Sequence, residues 1–153
     1  MSATAKSGHA SHCVIYTDGG ARGNPGPAGA GGVILADDGS VVAEISEYLG
    51  VATNNVAEYR ALLLALERAL DKGFTRADIC LDSELIVRQL TGHYRVKDAK
   101  IIPLHAKARH LLARFDDVHI THVRRDQNRH ADKLVNAALD AAIAEPGSEE
   151  PRS

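Results

Sequence analysis

Tyr16-Thr17-Asp18-Gly19-Gly20-Ala21-Arg22-Gly23-Asn24-Pro25-Gly26-Pro27 is the stretch on which the reading of this chain turns. Ahead of it, Cys13-Val14-Ile15-Tyr16 is a short apolar run of the kind that forms a buried strand. A first strand over about 12–18 therefore delivers Asp18 to its end. Glycines at 19, 20, 23, 26, 29, 31 and 32, with prolines at 25 and 27, follow it. Glycine permits sharp turns and close approach of another backbone, so a carboxylate at a strand end beside such a loop suits a metal ion and a bulky polymer together. Two nucleotide-binding readings fail here. No Gly-Lys-Ser/Thr leads into a helix, as a phosphate-binding P-loop requires. A dinucleotide fingerprint opens a helix, whereas Gly31-Gly32 is followed by the strand-like Val33-Ile34-Leu35-Ala36.

The 153 residues fit one domain with a substantial core. The 44% hydrophobic and 25% charged composition is that of an ordinary soluble protein. No apolar run has membrane-spanning length and no secretory signal is evident. Cys13 and Cys80 lie in apolar runs and read as core thiols of a cytoplasmic protein, and there is no zinc-type spacing. A net charge of −2 argues against a globally basic nucleic-acid binder. Yet residues 86–110 concentrate Arg88, Arg95, Lys97, Lys100, Lys107 and Arg109 against one acid, Asp98. That run reads either as a phosphate-binding surface or as a solvated face.

Outward from the glycine stretch the pattern alternates. Residues 1–11 read as a disordered tail, 12–144 as the domain, and 145–153 as a disordered tail or linker. Strand two is expected at about 28–36, a hairpin turn at 37–40, and strand three at about 41–49. A helix capped near Asn54-Asn55 runs to about Asp71, with Leu62, Ala65, Leu66 and Ala69 as its apolar stripe. Glu58 heads that stripe. It reads either as part of a capping box from Asn55 or as a carboxylate aimed at something positive. Residues 77–82 form strand four, ending in Asp82, and Ser83 caps a helix over 84–91. Asp82 can equally be a plain N-terminal helix acid. A loop, a helix at about 100–114 and strand five at 117–122 follow. The last helix, to about 144, carries Asn128, Asp132, Val135, Leu139 and Ala142 on one face. This order gives an α/β fold with a five-stranded mixed sheet, three antiparallel strands then two parallel, flanked by helices.

With strands one and four as parallel neighbours, Asp18 and Asp82 fall side by side, and Glu58 and Asp132 reach the same point. Like charges so placed repel unless compensated, and two divalent cations are the simplest compensation. Oxygen-only ligands suit Mg²⁺ or Mn²⁺. Two such ions about 4 Å apart are the arrangement for in-line phosphodiester cleavage.

Thr17-Asp18-Gly19-Gly20…Gly23-Asn24-Pro25-Gly26-Pro27, Thr53-Asn54-Asn55…Glu58, Leu81-Asp82-Ser83 and Asn128…Ala131-Asp132…Leu134 resemble the motifs of type 1 ribonuclease H, over roughly residues 13–143. The resemblance implies a ribonuclease-H-like fold and an endonuclease that cleaves the RNA strand of RNA–DNA hybrids with two Mg²⁺ ions (Mn²⁺ as a substitute), leaving 3′-hydroxyl and 5′-phosphate ends. It implies that Asp18 bridges both metals, that Asp132 helps hold the water-activating ion, and that Glu58 and Asp82 hold the other. Glu58 would also contact a ribose 2′-hydroxyl, the group that separates RNA from DNA. Gly20, Asn24, Asn54 and Asn55 would meet minor-groove edges and sugars, Thr53 a DNA-strand phosphate, and Lys97 the nucleic acid from the basic segment. His122 stands where many members carry a histidine that assists proton transfer or product release. Arg125 is its rival for that role. Two departures stand out. Glu84 replaces a glutamine found after Asp-Ser in several members, and residues 92–100 are a short substitute for a Trp-rich basic handle. The reading is thus a compact, handle-less, monomeric enzyme of bacterial or archaeal type. The alternatives are a catalytically silent nucleic-acid-binding domain of the same fold, and an acidic-cluster exonuclease or resolvase of related fold.

Overall fold

A computed structural model describes residues 12–144. The two expected tails lie outside the described residues. The elements are β1 (His12–Ala21), β2 (Gly26–Ala36), β3 (Val41–Ala52), α1 (Asn54–Asp71), β4 (Arg76–Leu81), α2 (Glu84–Leu90), α3 (Ile102–Leu112), β5 (Asp117–His122), a 3₁₀ turn (Arg125–Gln127) and α4 (Arg129–Ala144). They build one five-stranded sheet in the order β3-β2-β1-β4-β5. The β1–β2 and β2–β3 pairs are antiparallel, and β1–β4 and β4–β5 are parallel, as the element order implied.

The glycine stretch differs from its sequence reading. β1 does not stop at Asp18 but runs on through Gly19-Gly20-Ala21, paired with Ala30, Gly29 and Ala28, and β2 starts at Gly26. Only residues 22–25 remain as loop. The glycines are strand residues because helices press on them. A Cβ on Gly19 would lie 2.2 Å from the Ala57 carbonyl oxygen of α1. One on Gly31 would lie 2.2 Å from the Ala131 carbonyl oxygen of α4. Gly19 pairs with Ala30, and Gly31 with Asp18, so these two contacts fall on opposite faces of the sheet. The fold is therefore a helix–sheet–helix sandwich whose helices come unusually close just beside Asp18.

The main core lies under α1, where Ile15, Ile34, Ile45, Leu62, Leu66 and Ile79 are at most 2% exposed. Smaller boundary shifts follow from side-chain chemistry. Thr53, not Asn54 or Asn55, caps α1, its Oγ1 accepting from the Val56 N–H at 3.2 Å. Glu58 is thereby released from the capping-box reading. Strand three extends to Ala52 and ends with exposed Val51 on an edge of the sheet. Within it Ile45 is buried, whereas Val41 is exposed. β4 closes at Leu81, leaving Asp82 just past the strand, and α3 is shorter than expected at both ends. Ser83 caps α2 through the Ile86 N–H.

At the sheet end remote from Asp82, His12 joins three segments. Its Nδ1 pairs with Asp37 in the β2–β3 turn, and its Nε2 lies 3.3 Å from Asp78 on β4. The hydrogen bond to Asp37 chiefly, with the charges of Asp37 and Asp78, raises its pKa above the ordinary value against the opposing effect of burial. A histidine whose folded pKa exceeds its unfolded one stabilises fully below the unfolded value, about 6.5, and ceases to as pH rises through the folded value. The expected result is that the parent protein loses more melting temperature than His12→Asn between pH 6 and pH 9. Parallel curves for the two proteins would show that the pairing carries no pH-linked stability.

Candidate active site

β1 and β4 run parallel with Thr17 opposite Leu81, so the next residues, Asp18 and Asp82, emerge side by side. The Gly19–Ala57 approach brings the first turns of α1 against β1 at this level. It lets the Gly19 backbone N–H donate to the Glu58 carboxylate. One carboxylate oxygen from each of Asp18, Glu58 and Asp82 lies within 4.8 Å of the others. Asp132, in the first turn of α4, is not part of that tight trio. It lines the same cleft of 520 Å³ and is hydrogen-bonded to the Asp18 carboxyl.

The electrostatics follow from this crowding. Asp18 is 6% exposed. Its pKa is pushed up to about 8, first by burial, then by the charge of Asp82 and by Asp132, with Arg125 opposing. Glu58 is held well above the usual carboxylate range, again chiefly by burial and then by Asp18 and Asp82, with the Gly19 N–H and Arg125 opposing. A cluster of this kind keeps protons or takes cations. Its donors are all carboxylate oxygens, a set that fits the hard ions Mg²⁺ and Mn²⁺ and not zinc.

Other site residues are positioned by bonds that cross the sequence. Asn24 Oδ1 accepts from the Asn54 N–H at 3.0 Å, and Asn54 Oδ1 accepts from the Ala21 N–H at 2.8 Å. Both backbone donors fix the carboxamide orientation and turn each NH₂ group into the donor on offer. Asn54, Gly20 and Arg125 line the cleft with the acids. His122 is brought level with Leu81 by the β4–β5 register but is exposed and outside the lining. Asn55 and Lys97 are not in this cleft. They line a second one of 510 Å³, with Gln89, His93, Tyr94 and Arg95. Thr53 lines neither cleft; it caps the N-terminus of α1, its oxygen accepting the capping bond. Glu84 is held by Arg88 at 3.0 Å, and Arg88 lies over the Tyr94 ring, so its charge is offset within α2.

Three residues that sequence reasoning left without a role belong to this region. Asn128, 1% exposed, donates from Nδ2 to the Thr17 carbonyl at 2.8 Å and to Asp82 Oδ2 at 3.0 Å, tying together the strands that carry the two aspartates. Its spacing of four before Asp132 was the available signal. Arg22 and Asn136 line the far end of the cleft, and nothing in the local sequence marks them.

A family model described as reverse transcriptase-like matches residues 16–138. The chain is 50% identical over 127 residues to a ribonuclease HI of Halobacterium salinarum, covering 83% of this chain and 64% of that protein. It is 45% identical to a bifunctional protein of Mycobacterium tuberculosis, covering 84% of this chain and 36% of that one. The chain thus spans less than two thirds of the length of these relatives. Among solved structures, LC11-RNase H1 in complex with an RNA/DNA hybrid superposes with a TM-score of 0.82 at 45% identity, covering 86% of this chain and 99% of that one.

Proposed function

Since this chain belongs to the type 1 ribonuclease H family, we propose that it is an endonuclease hydrolysing the RNA strand of RNA–DNA hybrids to 3′-hydroxyl and 5′-phosphate ends. The observation that carries the proposal is the approach of Asp18, Glu58 and Asp82 oxygens to within 4.8 Å, at the floor of an open cleft. Asp18, Glu58, Asp82 and Asp132 would hold two Mg²⁺ ions, with Mn²⁺ as a substitute. Bound there, such ions supply an activated water and charge stabilisation for an in-line displacement at phosphorus.

The chain's own residues divide the remaining work. Asp18, on the central strand, presents its carboxylate from the cleft floor, and Asp132 approaches it from α4. Glu58, desolvated and turned toward the cleft, is placed to accept a hydrogen bond from a ribose 2′-hydroxyl, which DNA lacks. Asn24 and Asn54 offer their NH₂ groups at the ridge between the two clefts. That ridge suits the wide, shallow minor groove of an A-like duplex, with one strand over the acids and the other over Asn55, Lys97 and Arg95. Gly20 leaves room for the sugar-phosphate backbone. Thr53 can donate its hydroxyl proton to a phosphate while its oxygen keeps the cap. The enzyme would work as a cytoplasmic monomer. No helix among the described residues is long and apolar enough to cross a membrane.

Arg125 lines the cleft with the acids, whereas His122 is exposed and outside that lining, so the arginine is the better placed of the two for stabilising charge or steering product away. Arg125→Ala is expected to lower turnover by ~10²-fold, the scale of a positioned catalytic group. His122→Ala should lower it by no more than about threefold, as for a surface change. The test is turnover on a labelled hybrid, with duplex RNA and duplex DNA as controls, in Mg²⁺ and in chelator. Hybrid cleavage that ignores chelator would remove the metal reading. Binding without any cleavage would make the chain a silent module.

A further inference from the structure

The cleft is rich in acid, yet a phosphodiester strand must lie along it. Two cationic side chains line it, Arg125 and Arg22. Arg22 sits in the four-residue loop between β1 and β2. Its Nη2 donates to Asp140 Oδ1 at 2.8 Å and approaches Asn136 Oδ1 at 3.3 Å. Asn136 and Asp140 lie one and two turns beyond Asp132 on α4. At the rise of an α-helix, Asp140 is about 12 Å from Asp132 along the axis. The guanidinium is thus well down the cleft from the acids, beside the wall formed by Val135 and Leu139. Its present partner is weak, since Asp140 is 70% exposed and Arg22 39% exposed, and an ion pair in such surroundings adds little. A phosphate offers the same fork two charge-assisted hydrogen bonds.

We propose that Arg22 is a substrate-binding residue that leaves Asp140 to grip a backbone phosphate of the cleaved strand, several nucleotides from the bond that breaks. Asp140 then acts as a resident stand-in for phosphate that holds the arginine extended in the free protein. The loop is suited to presenting it. Arg22 N–H is fixed to the Pro27 carbonyl at 2.8 Å, and Asn24 anchors the other end to α1, so the side chain moves while its backbone stays.

This inference rests on the hybrid-cleaving reading, and its test separates the two. The parent protein is first assayed on a labelled hybrid in Mg²⁺, and no cleavage there would fail the function itself. Equilibrium binding of the same hybrid is then measured across salt concentrations for Arg22→Ala, Arg22→Lys and Asp140→Asn, each in an Asp82→Asn background that removes turnover. A phosphate ligand predicts that Arg22→Ala weakens binding about tenfold and flattens the log–log salt slope by roughly 0.7–0.9, one released counterion. Arg22→Lys should keep most of the slope. Asp140→Asn should bind as well as the background or two- to threefold tighter, because the competing carboxylate is gone. If Arg22 merely latches the loop to α4, Asp140→Asn and Arg22→Ala will weaken binding alike, and the proposal falls. An unchanged salt slope in Arg22→Ala overturns it too.

Discussion

Asp18→Asn is expected to abolish hybrid cleavage while making the metal-free protein more resistant to heat. The two effects share a cause. Asp18 is the buried carboxylate against which Asp82 and Asp132 press, and it pairs on β1 with Gly31 at the floor of the cleft. Losing its charge removes several kcal/mol of transition-state stabilisation by bound metal. At about 1.4 kcal/mol per factor of ten, that is a fall of ~10³-fold or more in turnover. In chelator the sign reverses. A carboxyl whose folded pKa is raised from 3.8 to about 8 costs stability increasingly as pH climbs between those values, in full above the upper one. Asparagine has no such cost. The variant should melt at least roughly 5 °C above the parent at pH 8.5 in chelator, equivalent to about 1–2 kcal/mol in a chain of this size. The gap should narrow toward pH 5. Mg²⁺ should raise the parent's melting temperature by binding the folded state, and the variant's much less. A variant that melts below the parent in chelator would show Asp18 to be a structural acceptor instead of a strained ligand.

Gly31→Ala is expected to be a severely damaging single-methyl change on the α4 side of the sheet. The new Cβ would stand 2.2 Å from the Ala131 carbonyl oxygen and 2.8 Å from the Val135 nitrogen, both backbone atoms of α4. No rotamer relieves a backbone clash, so α4 must shift bodily. Overpacking of this kind costs about 1–3 kcal/mol and at times more, and the upper end applies here. A fall in melting temperature of roughly 10 °C is expected at that cost. Because α4 carries Asp132, turnover should fall further than the folded fraction does. Alanine at Gly20, whose Cβ would meet nothing closer than Asn54 Oδ1 at 3.9 Å, is the melting-temperature control for added bulk. A Gly31→Ala protein as stable and active as the parent would mean that α4 does not pack this closely.

Much of this arrangement was legible along the chain. Asp18 and Asp82 follow apolar strand runs, and Glu58 and Asp132 interrupt apolar helical stripes, so each violates its local pattern in a way that simple burial does not explain. The strand order followed from short turns between the first three strands and helical crossovers for the rest. The glycines misled. Glycine scores poorly as a strand former because it has no side chain to pack, and the reason for it here is a helix brought in from elsewhere in the chain, at Ala57 for Gly19 and at Ala131 for Gly31. The Arg22 contacts span 114 and 118 residues and have no local signature. His122 and Arg125 were inseparable in sequence, since only Val123 and Arg124 lie between them and the path of that short link decides which one lines the cleft. The N-cap was misplaced by one residue because Thr53, Asn54 and Asn55 are all good caps, and only the hydrogen bond to Val56 selects among them.

β1 is the central strand, laddered to β2 on one side and β4 on the other. Separating Asp18 from Asp82 requires breaking the β1–β4 ladder along with the core beneath it, an excursion that approaches complete unfolding. The strap over residues 92–98 has no ladder bonds and exposes all but Val96, so it can open at little cost. The clustered carboxylates and the basic strap therefore belong to different cooperative units. Fluctuations of the outer unit leave the carboxylate cluster assembled.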